Sequence, residues 1–247
     1  MPHQKQDYAV YEPLNTLKPI GNDIWIVDGP LLHWGYAGWT MPFPTRMTVV
    51  RLPSGEVWLH SPTHPDEDLI AQIDKLGPVA HLVSPNKIHH VTLGPWSARY
   101  PDARVWASPG VRERSQVAFT DELGDRAPPG WQGCIEQRIA HGSKAMEEVI
   151  FFHMPSRTLV LADLIENFEM GRLSGWLNRL LARIARVNDA RPPLDLQLSF
   201  LGGKSEMRKT VEWMLASKPD RIVIAHGKWI ENNAGDAIRH AFGWALR

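Results

Sequence analysis

The sequence predicts an α/β protein, a four-layer αβ/βα sandwich with helices outside two sheets. Three observations carry this. Short strand candidates fall into two groups, helices follow each group, and no linker or shift in composition separates the groups. Two sheets facing each other, with helices on their outer faces, bury both. All 247 residues, 1–247, are therefore read as a single domain.

The elements follow in order. Asp23–Val27 alternates polar with apolar, and Met47–Leu52 and Glu56–Leu59 flank a Pro-Ser-Gly turn, a hairpin signal. Between them Leu31–Pro44, rich in Gly, Pro and aromatic residues, is expected to be irregular. Its Trp34, Tyr36 and Trp39 are expected to wall a substrate groove, or else to pack inside the sandwich. A helix starts near Pro65 with acidic residues in its first turn, carries the stripe Leu69, Ile70, Ile73, and stops at Gly77. His81–Val83 reads as a strand, Trp96–Tyr100 and Val111–Gln116 as helical, and Arg104–Ala107 as a strand between them. Ile135–Ile139, Glu148–Phe152 and Thr158–Leu161 are further strands, the last two joined by a turn at residues 154–157. Gly171–Val187 has the strongest helical periodicity, through Leu173, Trp176, Leu177, Leu180, Leu181 and Ile184. Its Arg172, Arg179, Arg183 and Arg186 are read as the solvated face of a core-packed helix rather than a membrane or anion surface. Ser205–Ser217 and Asn233–Leu246 are helices around the buried strand Arg221–Ala225.

Composition narrows the function classes. Lys+Arg and Asp+Glu both total 27, so no global positive charge attracts nucleic acid or an anionic membrane, and neither is expected as a partner. No apolar run approaches the roughly 20 residues of a bilayer span. The start of the chain has no apolar signal core. One cysteine, Cys134, permits no intrachain disulfide and is read as inert, in keeping with a cytoplasmic location. The expected partner is a small-molecule substrate; oligomeric state and substrate identity are not legible.

Metal sites in α/β proteins gather at strand ends, where loops converge on a rigid frame. His89 and His90 follow the Leu82–Val83 strand, Asp163 follows Thr158–Leu161, and His226 with Gly227 ends the Arg221–Ala225 strand. His141, also followed by a glycine, lies beyond Ile135–Ile139. Imidazole and carboxylate donors together suit zinc or ferrous iron. Adjacent histidines point to opposite sides of an extended chain, so spacing alone does not make a site.

From about Ile24 to His226 the succession of motifs resembles the metallo-β-lactamase superfamily, in a domain-of-unknown-function branch marked by Ser84-Pro85-Asn86-Lys87-x-His89-His90. The family pattern is H-x-H-x-D-H, a Gly-His motif, a strand ending in Gly-Asp and a strand ending in His-Gly. Here these read Pro85–His90, Ala140-His141-Gly142, Leu161-Ala162-Asp163 and Ala225-His226-Gly227. With Pro85 and Lys87 in place of two histidines, the resemblance implies that the first of two metal sites is lost. The second keeps His90, Asp163 and His226, with His89 in place of an aspartate. The implied cofactor is one divalent metal held by His89, His90, Asp163 and His226, zinc first and iron as the alternative. The implied function is a metal-dependent hydrolase with a degenerate mononuclear site; the alternatives are a mononuclear iron oxidoreductase and a non-catalytic scaffold that retains the fold. Asp163 or the metal hydroxide is then the candidate base, and Lys87 or His141 the stabiliser of developing negative charge. Lys87 either substitutes for the missing cation or points to solvent. His60 either faces the site or caps the following helix with Ser61 and Thr63. Glu166 and Asn167 either orient ligands or cap a helix. His3, His33, His64, His153 and His240 are expected at the surface.

Overall fold

A computed structural model describes residues 7–36 and 39–247. Among the described residues eleven strands, β1 to β11, build two sheets. The first sheet runs in sequence order, β1 (Lys18–Gly21), β2 (Ile24–Tyr36), β3 (Trp39–Arg51), β4 (Val57–His60), β5 (Val79–Val83), β6 (Arg104–Ala107) and β7 (Asp121–Glu122). Its first four strands are antiparallel; β4 to β7 are parallel, the β4–β5 crossover made by α1 (Glu67–Asp74) and the β5–β6 crossover by α2 (Leu93–Arg99). The second sheet has the order β11-β10-β9-β8, from β8 (Ile135–Ile139), β9 (Val149–His153), β10 (Thr158–Val160) and β11 (Arg221–Val223). Helices α3 (Trp176–Ala185), α4 (Leu194–Ser199) and α5 (Lys204–Ala216) lie between β10 and β11, and α6 (Ala234–Leu246) closes the chain.

Three apolar layers separate these elements. Leu69, Ile73 and Trp96 pack on the outer face of the first sheet through Val49, Leu59 and Leu82. Met207, Val211, Ile238 and Phe242 cover the second sheet at Ile150 and Ile222. Between the sheets, Trp58, Trp106 and Trp131 interlock with Phe151 and Ile135; Trp106 and Trp131 meet edge-on at 4.7 Å between centroids. The predicted αβ/βα sandwich is the fold observed.

Several local readings change. Residues 31–36 and 39–44 are not irregular: they are the far half of a long β2–β3 hairpin, paired from Ile24↔Val50 to Tyr36↔Trp39. Its prolines sit where pairing permits them. Pro42 and Pro44 lie in the stretch of β3 paired only with β2, since β4 pairs only Thr48–Arg51, and Pro30 falls in the register break between Gly29 and Leu32. The side chains of Trp34, Tyr36 and Trp39 lie outside the described residues, as does His3. Residues 111–116 form turns rather than a helix. The 171–187 helix is confined to Trp176–Ala185, where Gly175 (φ 80°) and the left-handed Arg186 bound it. Within Trp176–Ala185 only Ala182 is buried, while Trp176, Leu180 and Ile184 of the predicted stripe are exposed, so it is not the core helix expected. Asp66 caps α1 by accepting from the Leu69 amide at 2.8 Å, leaving no capping role for His60, Ser61 or Thr63. His60 is instead 1% exposed, stacked on Trp58 and edge-on to Phe151 between the sheets. His153 is likewise buried, while His33, His64 and His240 are exposed as expected. Cys134 is buried, and burial raises its thiol pKa.

Candidate metal centre

The C-terminal ends of β5, β10 and β11 meet at one edge of the sandwich, and each delivers a polar loop there. Beyond β5 the chain turns through Ser84–His90; beyond β10 it runs Leu161-Ala162-Asp163; beyond β11, Ile224-Ala225-His226. His89, Asp163 and His226 thereby bring one donor atom each to within 4.8 Å of one another. Nε2 of His89 stands 3.2 Å from both Asp163 carboxylate oxygens, and Nε2 of His226 stands 3.2 Å from Oδ1.

The remaining ring nitrogens fix these orientations. His226 Nδ1 donates to the Pro44 carbonyl at 2.8 Å, and His89 Nδ1 lies 2.5 Å from Ser61 Oγ. With Nδ1 engaged, each imidazole turns Nε2 toward the same carboxylate. That is how a metal-binding histidine is held. Donors at the usual 2.0–2.1 Å from a tetrahedral zinc stand about 3.3 Å apart, which the two 3.2 Å histidine–carboxylate separations match, and all three donors lie within 4.8 Å of one another. Burial opposes ionisation of Asp163, yet the facing His89 and His226 hold its carboxyl well below the usual range. Burial would likewise lower His226, but Asp163 and Glu166 outweigh it and raise its pKa to about 8.

A buried polar layer supports the donors. Asn86, fully buried, donates through Nδ2 to Asp163 Oδ2 at 2.9 Å and to Glu148 Oε2 at 3.0 Å. Its Oδ1 accepts from the Ile88 and His89 amides at 2.9 and 3.3 Å. Glu148 accepts from the Ala162 and Asp163 amides at 2.8 and 2.7 Å, and burial, then the Asp163 charge, raises its pKa to about 7. Buried Arg46 donates to the Ile224 and Gly227 carbonyls at 2.9 and 2.7 Å while ion-paired to Asp28 at 2.6 Å, which fixes the His226 loop. None of Asn86, Glu148 and Arg46 is marked in the sequence as supporting a site, since the contacts Asn86–Glu148, Asn86–Asp163 and Arg46–Gly227 join residues 62, 77 and 181 positions apart. The clearest hint is that Asn86 and Glu148 are polar residues at the margins of the apolar strands β5 and β9.

The other expected site residues are placed differently. His90 lies outside the donor cluster: in the turn closed by the His90 amide on the Ile88 carbonyl, consecutive side chains diverge. Burial, then the Arg114 charge, lowers its pKa. His141 is drawn away by carboxylates, 2.8 Å from Glu147 Oε1 and 3.1 Å from Asp125 Oδ2; burial opposes protonation, but this pairing raises its pKa. It does not reach the donors. Lys87 lines the cavity beside them and has no ion-pair partner among the described residues. Glu166 caps no helix. It is 5% exposed in the cavity wall, and burial pushes its pKa up to about 8. Asn167 donates to the Lys228 carbonyl at 2.8 Å and latches the loop after His226. Gly227 is obligatory there: its φ is +91°, and a Cβ would lie 2.1 Å from the Asn167 carbonyl oxygen.

The donors open into a cavity of about 840 Å³ walled mainly by apolar residues such as Leu31, Phe43, Ile88, Met146 and Leu196. Solved metallo-β-lactamase structures share this fold. The enzyme from Erythrobacter litoralis, solved with β-mercaptoethanol in its active site, aligns with TM-score 0.63 at 12% identity over 93% of this chain and 95% of its own. The metallo-β-lactamase from Pontibacter korlensis aligns with TM-score 0.60 at 13% identity over 94% and 99%. A metal-soaked Flv1 flavodiiron core from Synechocystis sp. PCC6803 aligns with TM-score 0.61 at 10% identity over 94% of this chain but 60% of its own. No curated protein matches the sequence. Within that fold class, the chain belongs to the family described as Domain of unknown function (DUF4336), whose model matches residues 37–171.

Proposed function

We propose that the protein is a mononuclear metal-dependent hydrolase acting on a small-molecule substrate in this cavity. The observation that carries the reading is the convergence of two Nε2 atoms and one carboxylate on a single point, with both Nδ1 atoms already engaged. Three protein donors leave a fourth position open, the pattern of catalytic rather than structural zinc. A bound zinc would lower the pKa of its water to about 7 and polarise a carbonyl or phosphoryl oxygen. The chain's own residues do the rest. Asp163 shares its charge between His89 and His226, while Asn86 and Glu148 hold it in place. Both oxygens of Asp163 are thus engaged, so it serves as a ligand more readily than as a free base. The unpaired ammonium of Lys87 offsets negative charge that develops on the substrate. His141, committed to Glu147 and Asp125, has no part in this reading.

A second reading has its own support: two histidines and one carboxylate also form the facial triad of non-haem iron(II) sites. Metal analysis of tag-free protein purified without chelator separates the two. About one equivalent of zinc supports the hydrolase, and iron with a spin-resonance signal moves the protein to the oxidoreductase class. Under about a tenth of an equivalent of any transition metal overturns both and leaves a binding scaffold.

A further inference from the structure

Helix α3 has a second apolar face that the fold does not use. Its inner side is held by Ala182, which packs with Leu173, Val187 and Phe168. Trp176, Leu180 and Ile184 recur at every fourth position, on one side of a helix, and are 76%, 43% and 59% exposed. Leu198 on the neighbouring α4 and Leu201 just beyond it are also exposed, 52% and 67%. Single exposed leucines are ordinary; three large apolar residues exposed in line on one helix face, with further exposed leucines on the neighbouring helix, mark a contact surface.

The charge on the helix identifies the partner. Between Trp176 and Val187 there is no acidic residue, and Arg179, Arg183 and Arg186 are exposed. None of the three forms an ion pair among the described residues; Arg179 donates only to the Leu173 carbonyl. Because the whole chain has a net charge of zero, this cationic patch is local. A second copy is a poor fit, since a two-fold contact would set these guanidiniums against their equivalents. An anionic lipid surface satisfies both halves of the helix, its headgroups the arginines and its acyl boundary the apolar stripe. Ten residues span only about 15 Å, and no helix among the described residues is long and apolar enough to cross a bilayer. The helix must lie in the interface plane, where tryptophan is favoured.

We propose that α3 is an in-plane anchor that docks the protein on bilayers containing anionic phospholipid, Trp176, Leu180 and Ile184 entering the headgroup–acyl boundary and Arg179, Arg183 and Arg186 contacting phosphates. This revises the expectation of no membrane partner. Periodicity reveals that a stripe exists and not whether the core covers it. The inference is independent of the metal reading.

The test is flotation of the full chain with vesicles of phosphatidylcholine alone, and with about a third of it replaced by phosphatidylglycerol. The protein should float with the mixed vesicles and not with the neutral ones, and should be released by high salt. R179Q/R183Q should weaken the partition by about 30-fold, from the usual contribution of a basic residue near an anionic surface. W176A/L180S/I184S should abolish it. All five positions are exposed, so circular dichroism and the unfolding midpoint should match the unsubstituted protein. Equal flotation with both vesicle types, flotation with neither, or a solution dimer lost in W176A/L180S/I184S would each overturn the proposal.

Discussion

Asn86→Ala is the substitution that most sharply links the fold to the site. The asparagine is fully buried and makes four hydrogen bonds, two through Nδ2 to Asp163 and Glu148 and two through Oδ1 from the Ile88 and His89 amides. The bond to ionised Asp163 is worth about 2 kcal/mol, those to Glu148 and Ile88 about 1 each, and the longer one to His89 less. Alanine also strands their partners in a dry interior. Together the loss is about 4–5 kcal/mol, a large share of the roughly 5–15 kcal/mol that holds a domain folded. Urea unfolding should show the midpoint fall at unchanged slope. Zinc affinity, measured by competition with a chromophoric chelator, should fall about 10- to 100-fold, as it does when the residues orienting a ligand are removed. A loss under about 1 kcal/mol with unchanged zinc affinity would refute the argument that Asn86 organises the donors.

Other predictions follow from the same structure. His60, His81 and His153 are buried, and burial lowers their pKa values to about 3, 4 and 4. The native state keeps them neutral while the unfolded chain takes up protons below about 6.5, so stability falls as pH falls through that value. Each accounts for about 2 kcal/mol at pH 5, and His153→Gln should reduce the pH slope of the unfolding free energy between pH 4.5 and 6 by about one proton; an unchanged slope would show that His153 is charged in the native state. Gly227→Ala must find room for a Cβ 2.1 Å from the Asn167 oxygen at φ +91°. It should cost about 2–4 kcal/mol in thermal unfolding and weaken zinc binding through its neighbour His226. Lys87→Ala should leave zinc affinity within about threefold of the unsubstituted protein, because a half-buried cation in the cavity wall contributes little to a site it does not ligate; a larger change would make Lys87 part of the binding set.

The two-sheet plan was legible because the buried strands are short apolar runs with sharp boundaries. Val149–His153 is buried throughout and so are Ile222 and Val223, and such runs need no partner to be recognised, whereas Met47–Leu52 reveals only the inner half of β3. The donors at strand ends were legible for the same reason. The β2–β3 hairpin was not, because prolines on a free strand edge resemble those of a loop until the pairing is known. His90 was not separable from His89, since the turn at Ile88–His90 sends the two imidazoles different ways. The supporting layer of Asn86, Glu148 and Arg46 was invisible because tertiary packing alone joins residues so distant in sequence.

The central claim is one metal held by His89, Asp163 and His226 with His90 outside the set. Calorimetric zinc titration of His89→Ala beside His90→Ala tests it most directly. The unsubstituted protein and His90→Ala should each bind one equivalent with similar affinity, and His89→Ala should bind none. Binding retained in His89→Ala and lost in His90→Ala would contradict it.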